Sequence, residues 1–229
     1  QEFQFINSER FPFKVRHTIF HQANKYRYLQ TGTESYYQKP LLEDFDPYAY
    51  KFSKNLSNTV SLLFDKPTFK LEAGVRHQLI NLGTDRELPT SVGVAIPLDN
   101  KENRLGAVGN LEIKLWNKID LRSNLEYSNG AKFGNFLRSE NQLKLEPIKD
   151  YILDAYVNFQ TSKPSFNYLI NPSFYKDFNY NFMNASNQNI LEIGGKVNLK
   201  WFQSAIFANY FKIDNYAYFT EDYLPKQSA

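Results

Sequence analysis

Apolar and polar residues alternate with a period of two over long stretches of this chain. From Asn103 to Ser128 the odd positions carry Leu105, Ala107, Gly109, Leu111, Ile113 and Leu115, while the even positions carry Arg104, Asn110, Glu112 and Lys114. The parity continues through Asn117-Lys118 into Ile119, Leu121, Ser123, Leu125 and Tyr127, opposed by Asp120, Arg122, Asn124, Glu126 and Ser128. A helical period of 3.6 would mix the two classes on one face, whereas a strand keeps them apart. The segment predicts two long strands joined by a tight turn.

The same alternation marks Phe69 to Leu79, Asp150 to Gln160 and Leu191 to Leu199. Weaker versions at Phe13 to Phe20, Thr59 to Phe64, Lys132 to Glu146 and Gln203 to Lys212 bring the expectation to about ten strands. Tight links at Asp65-Lys66-Pro67, Asn117-Lys118, Pro147-Ile148-Lys149 and near Trp201-Phe202 alternate with long ones near 31–56, 81–102 and 162–189. Such a chain is expected to be all-β: an antiparallel up-and-down meander over residues 1–229, with a short-turn rim and a long-loop rim. Its strands exceed the roughly 5–6 residues usual in soluble sheets and reach the roughly 9–11 that cross an outer membrane. Together with Trp116, Tyr127, Tyr151 and Trp201 at strand ends, where an interfacial girdle would sit, this favours a transmembrane β-barrel over a soluble β-sandwich. Alternation alone does not separate the two.

Composition narrows the classes. The 229 residues carry 27 Lys+Arg and 24 Asp+Glu, a net charge of +3, which is too balanced for a nucleic-acid-binding face. Aromatic residues make up 17% at a mean hydropathy of −0.54, so the chain is neither disordered nor a helical membrane protein. No cysteine is present, which excludes disulfides, thiolate metal sites and a cysteine nucleophile. No signal-peptide pattern opens the sequence.

The parity classes define the candidate sites. Arg76, Arg104, Glu112, Lys114, Arg122, Glu126, Asp154, Glu192 and Lys196 share one class and would line a lumen. Leu105, Leu111, Ile113, Leu115, Leu121 and Leu125 share the other and would face lipid. With five positive charges against four negative, the lumen set is either the wall of a weakly selective aqueous pore or the mutually satisfied filling of a plugged barrel.

Candidate chemistry is sparse. His17 and His21 are four residues apart, about 13 Å along a strand, too far for one metal ion. His77 lies in the apolar class, and no Gly-x-Ser-x-Gly elbow accompanies it, so no catalytic residue is assigned and the chain is expected not to be an enzyme. Glu43-Asp-Phe-Asp46 does not match a calcium loop and reads as an exposed acidic loop. No metal and no cofactor is expected. The stretch from Ser162 to Asn189 is dense in rings, Phe166, Tyr168, Phe174, Tyr175, Phe178, Tyr180 and Phe182, interspersed with amides. It reads either as a lid packed on its own aromatics or as a loop that stacks on sugar rings.

Phe166-Asn-Tyr168, Phe178-Asn-Tyr-Asn-Phe182, the closing Asn209 to Phe219 and Leu224-Pro-Lys-Gln227 resemble the "putative porin" family of Bacteroidota outer membranes, as do Tyr127 to Gly134 and Gln160 to Phe166. The resemblance lies in the C-terminal half and in strand-and-loop patterns. It implies a β-barrel in the outer membrane of a Gram-negative bacterium, acting as a passive diffusion channel for small solutes or as a structural subunit of an outer-membrane complex. Its surroundings would be outer-membrane lipid, lipopolysaccharide and other outer-membrane proteins, with no nucleic acid. Members of that family are longer, and ten strands close only a narrow barrel, so the chain is expected to be a portion of a larger one. A soluble β-sheet domain for adhesion or carbohydrate binding is the rival from another class.

Overall fold

The computed structural model describes residues 2–4, 12–29, 48–85, 87, 96, 99–173, 175 and 178–228. Ten strands form one antiparallel sheet: β1 (Glu2–Gln4), β2 (Phe13–Leu29), β3 (Tyr48–Lys66), β4 (Phe69–Thr84), β5 (Asn100–Leu115), β6 (Ile119–Ser128), β7 (Phe136–Ile148), β8 (Tyr151–Ser162), β11 (Gln188–Leu199) and β12 (Ser204–Asp214). Between β8 and β11 lie the single helical turn α1 (Phe166–Leu169) and the two-residue strands β9 (Ile170–Asn171) and β10 (Tyr180–Asn181), which pair with each other. After β12 the chain makes a small hairpin, β13 (Ala217–Phe219) with β14 (Pro225–Gln227).

The ten strands of the large sheet pair in chain order, with β9 and β10 looped out between β8 and β11, so the up-and-down meander holds. Closure does not. Among the described residues β1 pairs only with β2, and β12 only with β11, so their sheet is open at both ends. The expected barrel is thus not formed by the described residues alone.

Turn chemistry sets the register. Trp116 and Asn117 both take positive φ, 52° and 55°, between β5 and β6, the left-handed pair that suits the twist of a hairpin. Between β7 and β8, Ile148 stands opposite Tyr151, an arrangement that on its own would put the odd residues of the two strands on opposite faces. A bulge between Leu145 and Ile148 absorbs one residue and restores Leu145 opposite Leu153.

Two expected boundaries are corrected. β2 continues to Leu29 and β3 begins at Tyr48, well inside the stretch expected to be loop at 31–56; β4 runs to Thr84 and β5 starts at Asn100, so the link read as 81–102 shrinks to 85–99. In these extensions both faces turn polar, as at Asn24-Lys25 and Ser53-Lys54, which erases the alternation that made the strands visible. The third long link keeps its place and carries α1, β9 and β10.

The sheet curls toward its polar face. Strands two apart in a flat sheet are separated by about 9.6 Å, yet Arg16 of β2 reaches Glu72 of β4 at 3.0 Å, and Ser128 of β6 donates to Gln78 of β4 at 3.0 Å. Arg76 of β4 likewise pairs with Glu126 of β6. The link after β8 carries the curl further, because Phe166 packs on Tyr26 of β2 with ring centroids 5.6 Å apart, and Lys51 of β3 donates to the Ile170 carbonyl at 2.9 Å.

Packed apolar side chains lie mostly at the long-loop rim: Ile96 and Ile170 are fully buried against Phe166 and Met183, with Phe133, Leu169, Tyr175, Tyr180, Ala185 and Ala217 also buried. The middle of the sheet contributes only Leu63 to the buried apolar residues, among the described ones.

Candidate functional site

Cross-strand partners share a face, so the register sorts each candidate residue. Arg76 stands opposite Gly106, which is opposite Ser128; Glu112 is opposite Arg122; Lys114 is opposite Asp120; and Asp154 lies between Lys144 and Lys196. All nine charged candidates, Arg76, Arg104, Glu112, Lys114, Arg122, Glu126, Asp154, Glu192 and Lys196, fall on one face. Leu105, Leu111, Ile113, Leu115, Leu121 and Leu125 fall on the other.

The charges on this concave face are laid out in rows of alternating sign. One row runs Asp65, Lys70, Glu112, Arg122 across β3 to β6; another runs Lys114, Asp120, Lys144, Asp154, Lys196 across β5 to β11. Along the first row Lys70 lies 3.7 Å from Asp65 and 4.0 Å from Glu112; closer pairs run along single strands between rows, Lys114 to Glu112 at 2.7 Å, Arg122 to Asp120 at 2.9 Å, and Arg138 with Glu140, and Lys14 meets Asp65 at 3.2 Å. Glu192 accepts from the Tyr156 hydroxyl and the Asn158 amide, each at 3.2 Å. A cleft of about 230 Å³ lined by Arg16, Glu72, Arg76, Glu126, Arg138 and Glu140 marks the middle of the face.

Gly106, opposite Arg76, lets β6 approach β5 closely. A Cβ there would sit 2.1 Å from the Tyr127 carbonyl oxygen and 2.5 Å from the Ser128 hydroxyl, so only a glycine fits.

Arg104 has a different role from its fellow candidates. It is buried, and its Nε donates to Glu102 at 2.9 Å while its Nη2 donates to the Gly134 carbonyl at 2.7 Å. Glu102 in turn accepts from the backbone N–H groups of Lys132 and Phe133 at 2.7 and 3.1 Å. The pair clamps the turn after β6 onto β5, and Arg104 contributes little open charge. Lys163, just past β8, feels this site: burial lowers its pKa, opposed by the Glu102 carboxylate, and its ammonium donates to the Ala185 carbonyl.

The nine candidates are about half of the charged face. Arg16, Lys70, Glu72, Asp120, Arg138, Glu140 and Lys144 belong to it through register or direct pairing. Those of β4 to β7 share the even parity of the chosen set, and that signal was present.

The convex face is apolar and uncovered. Val60 is 54% exposed, Val75 63% and Leu105 65%, whereas on the charged face Ser61 is 2% exposed, Thr59 7% and Arg104 6%. This inverts a soluble protein. The outward, mostly apolar run is similar in height on three strands, from Phe64 to Leu56 on β3, Phe69 to Leu79 on β4 and Leu105 to Leu115 on β5, ending at Lys54, Asn81 and Asn103; Asn58 and His77 interrupt it, as do Ser123, Ser139 and Asn141 on β6 and β7. The strands reach up to 19 residues, but the apolar band spans roughly the 9–11 that cross a bilayer.

The chain matches, over residues 1–229, the family described as "Putative porin". It belongs to that family. No curated protein matches it. For a porin-family chain the remaining candidates are bland: His17, His21 and His77 all stand on the convex face, and the strand neighbours of His77 are Asn58 and Leu105, neither a nucleophile. Glu43 to Asp46 and Phe174 lie outside the described residues.

Proposed function

We propose that this chain forms a wall of a porin-like outer-membrane β-barrel in a Gram-negative bacterium, with the charged concave face lining a passive diffusion path and the apolar convex face against lipid. The observation that carries this reading is the inversion of the two faces. A water-soluble monomer does not leave an apolar surface open across so many consecutive strands. In a bilayer that surface needs no cover, and the charges take the only wet side.

The open edges extend the reading. Along β1 and β12 the outward N–H and C=O groups have no strand partner among the described residues, and in lipid each such group costs on the order of several kcal/mol. The barrel therefore closes through additional strands. Lys25, Arg27 and Lys54 sit on the convex face just beyond the apolar band at the long-loop rim, Lys25 Nζ 3.7 Å above the Tyr50 ring, where cations meet the phosphates of lipopolysaccharide.

Planar-bilayer recording of the native protein carrying this chain tests the reading. Steady ohmic conductance with weak ion preference is expected, because the partners found on the face add charges of both signs. Replacing Arg76→Glu together with Arg122→Glu should move the reversal potential in a salt gradient toward cation preference. Absence of conductance in a protein that copurifies with a fixed partner would replace the channel by a structural subunit.

A further inference from the structure

We infer that the long-loop rim carries a binding cleft for a pyranose ring of a neutral oligosaccharide, distinct from the charged face. The cleft, about 390 Å³ and within the roughly 300–1,000 Å³ range of small-ligand sites, is lined by Tyr28 at the end of β2, Asn171 and Ser173 after β9, Tyr180 of β10, Phe219 of β13 and Tyr223. Three segments far apart in sequence converge there.

The walls are built of ring faces held in place. Phe219 stacks on Tyr168 at 4.7 Å and leans on Tyr180 at 6.0 Å; Tyr223 meets Phe178 edge-on at 5.4 Å, and Phe178 meets Tyr175 at 6.1 Å. Tyr180 is anchored by donating to the Asn167 carbonyl at 2.6 Å, and burial raises its pKa so that the donor proton stays. Hydrogen bonds of Gln227 to Ser186 and Asn215, 2.7–2.9 Å, tie the β13–β14 hairpin to the link that carries Tyr180. The cleft is thus ordered before any ligand arrives, which lowers the entropy cost of binding.

Chemistry selects the ligand. Among the described lining residues there is no carboxylate, lysine, arginine or histidine, so none of them would compensate a buried charge on a ligand. Among the described lining residues the apolar contribution comes from aromatic rings and Pro172, with no Leu, Ile, Val or Met, so these walls offer flat electron-rich faces and not the branched methyl surface that suits an acyl chain. Phe219 and Tyr223 are 46% and 54% exposed, accessible to a ligand. The Asn171 carboxamide, whose nitrogen donates to the Phe178 carbonyl at 2.9 Å, and the Ser173 hydroxyl, which accepts from the Tyr175 N–H at 3.1 Å, border the rings with an amide oxygen and a hydroxyl proton left to match the hydroxyls at a sugar's edge, while the C–H groups of a pyranose face lie against the rings.

Isothermal titration of the detergent-solubilised native protein with maltohexaose, cellohexaose, N-acetylchitohexaose and an anionic hexagalacturonate tests this. Saturable binding of at least one neutral hexamer is expected, weaker or absent with hexagalacturonate. Phe219→Ala and Tyr223→Ala should each lower affinity about three- to tenfold, Phe219→Tyr should preserve it, and Trp201→Ala at the opposite rim should leave it unchanged. The inference is overturned if no neutral hexamer binds to folded protein, if hexagalacturonate binds as well as the neutral sugars, or if both alanine variants bind like the wild type. Conductance measured on the same samples keeps failure here separate from failure of the channel reading.

Discussion

Two arginines of the same parity class illustrate how residue identity and residue role part company. Arg122 lies at the surface of the concave face, its side chain 54% exposed, with Asp120 as partner; Arg104 is sealed between Glu102, the Gly134 carbonyl and the Phe133 ring. Breaking a buried pair strands the remaining charge, whereas an exposed pair is screened by water and salt. Arg104→Ala is therefore expected to destabilise the protein by about 3–5 kcal/mol, and Arg122→Ala by less than about 1 kcal/mol, in equilibrium unfolding by urea. Equal losses would show that the turn after β6 is not held by this clamp.

At the scale of elements, what could be read in the sequence depended on the turns. Within β5 and β6 the three residues 116–118 keep parity, so a single alternation marked both strands and their faces. Across Pro67-Thr68 the two-residue turn flips parity: Thr59, odd, stands opposite Arg76, even, and the charged face of β3 falls on its odd residues. The same flip occurs between β2 and β3 and between β11 and β12. The flips on the two sides of β3 cancel, so Arg16 and Glu72 share even parity, but the odd charged face of β3 between them interrupts the run. β12 was hard to read for a second reason: it is apolar on both sides, with Phe207 and Phe211 beside Lys196 and Glu192 on the charged face and Ile206 and Tyr210 on the other. The long link after β8 showed its rings in the sequence, but its reach to Tyr26 and Lys51 depends on the curl of the sheet, which no local pattern encodes.

The short turns carry a prediction of their own. Trp116 and Trp201, the two tryptophans of the chain, both sit in turns of the same rim, 79% and 87% exposed, with Phe202 72% exposed beside the latter. Rings placed so far from any packing suit the headgroup layer of a membrane. In liposomes their fluorescence should be quenched more by lipids brominated near the headgroup than by lipids brominated near the chain end. Preferential quenching by the deep label, or none by either, would remove this rim from the interface.

For the molecule as a whole, the account stands on one surface facing lipid and its reverse facing water. Spin labels on single cysteines introduced at each position from Leu105 to Leu115 in the native protein, reconstituted in liposomes, measure this directly, since the chain has no cysteine of its own. Oxygen, which concentrates in the bilayer, should reach the odd positions, and a water-soluble nickel chelate the even ones, giving two curves of period two in opposite phase. Nickel access at odd and even positions alike would contradict the account and place both faces of the sheet in water.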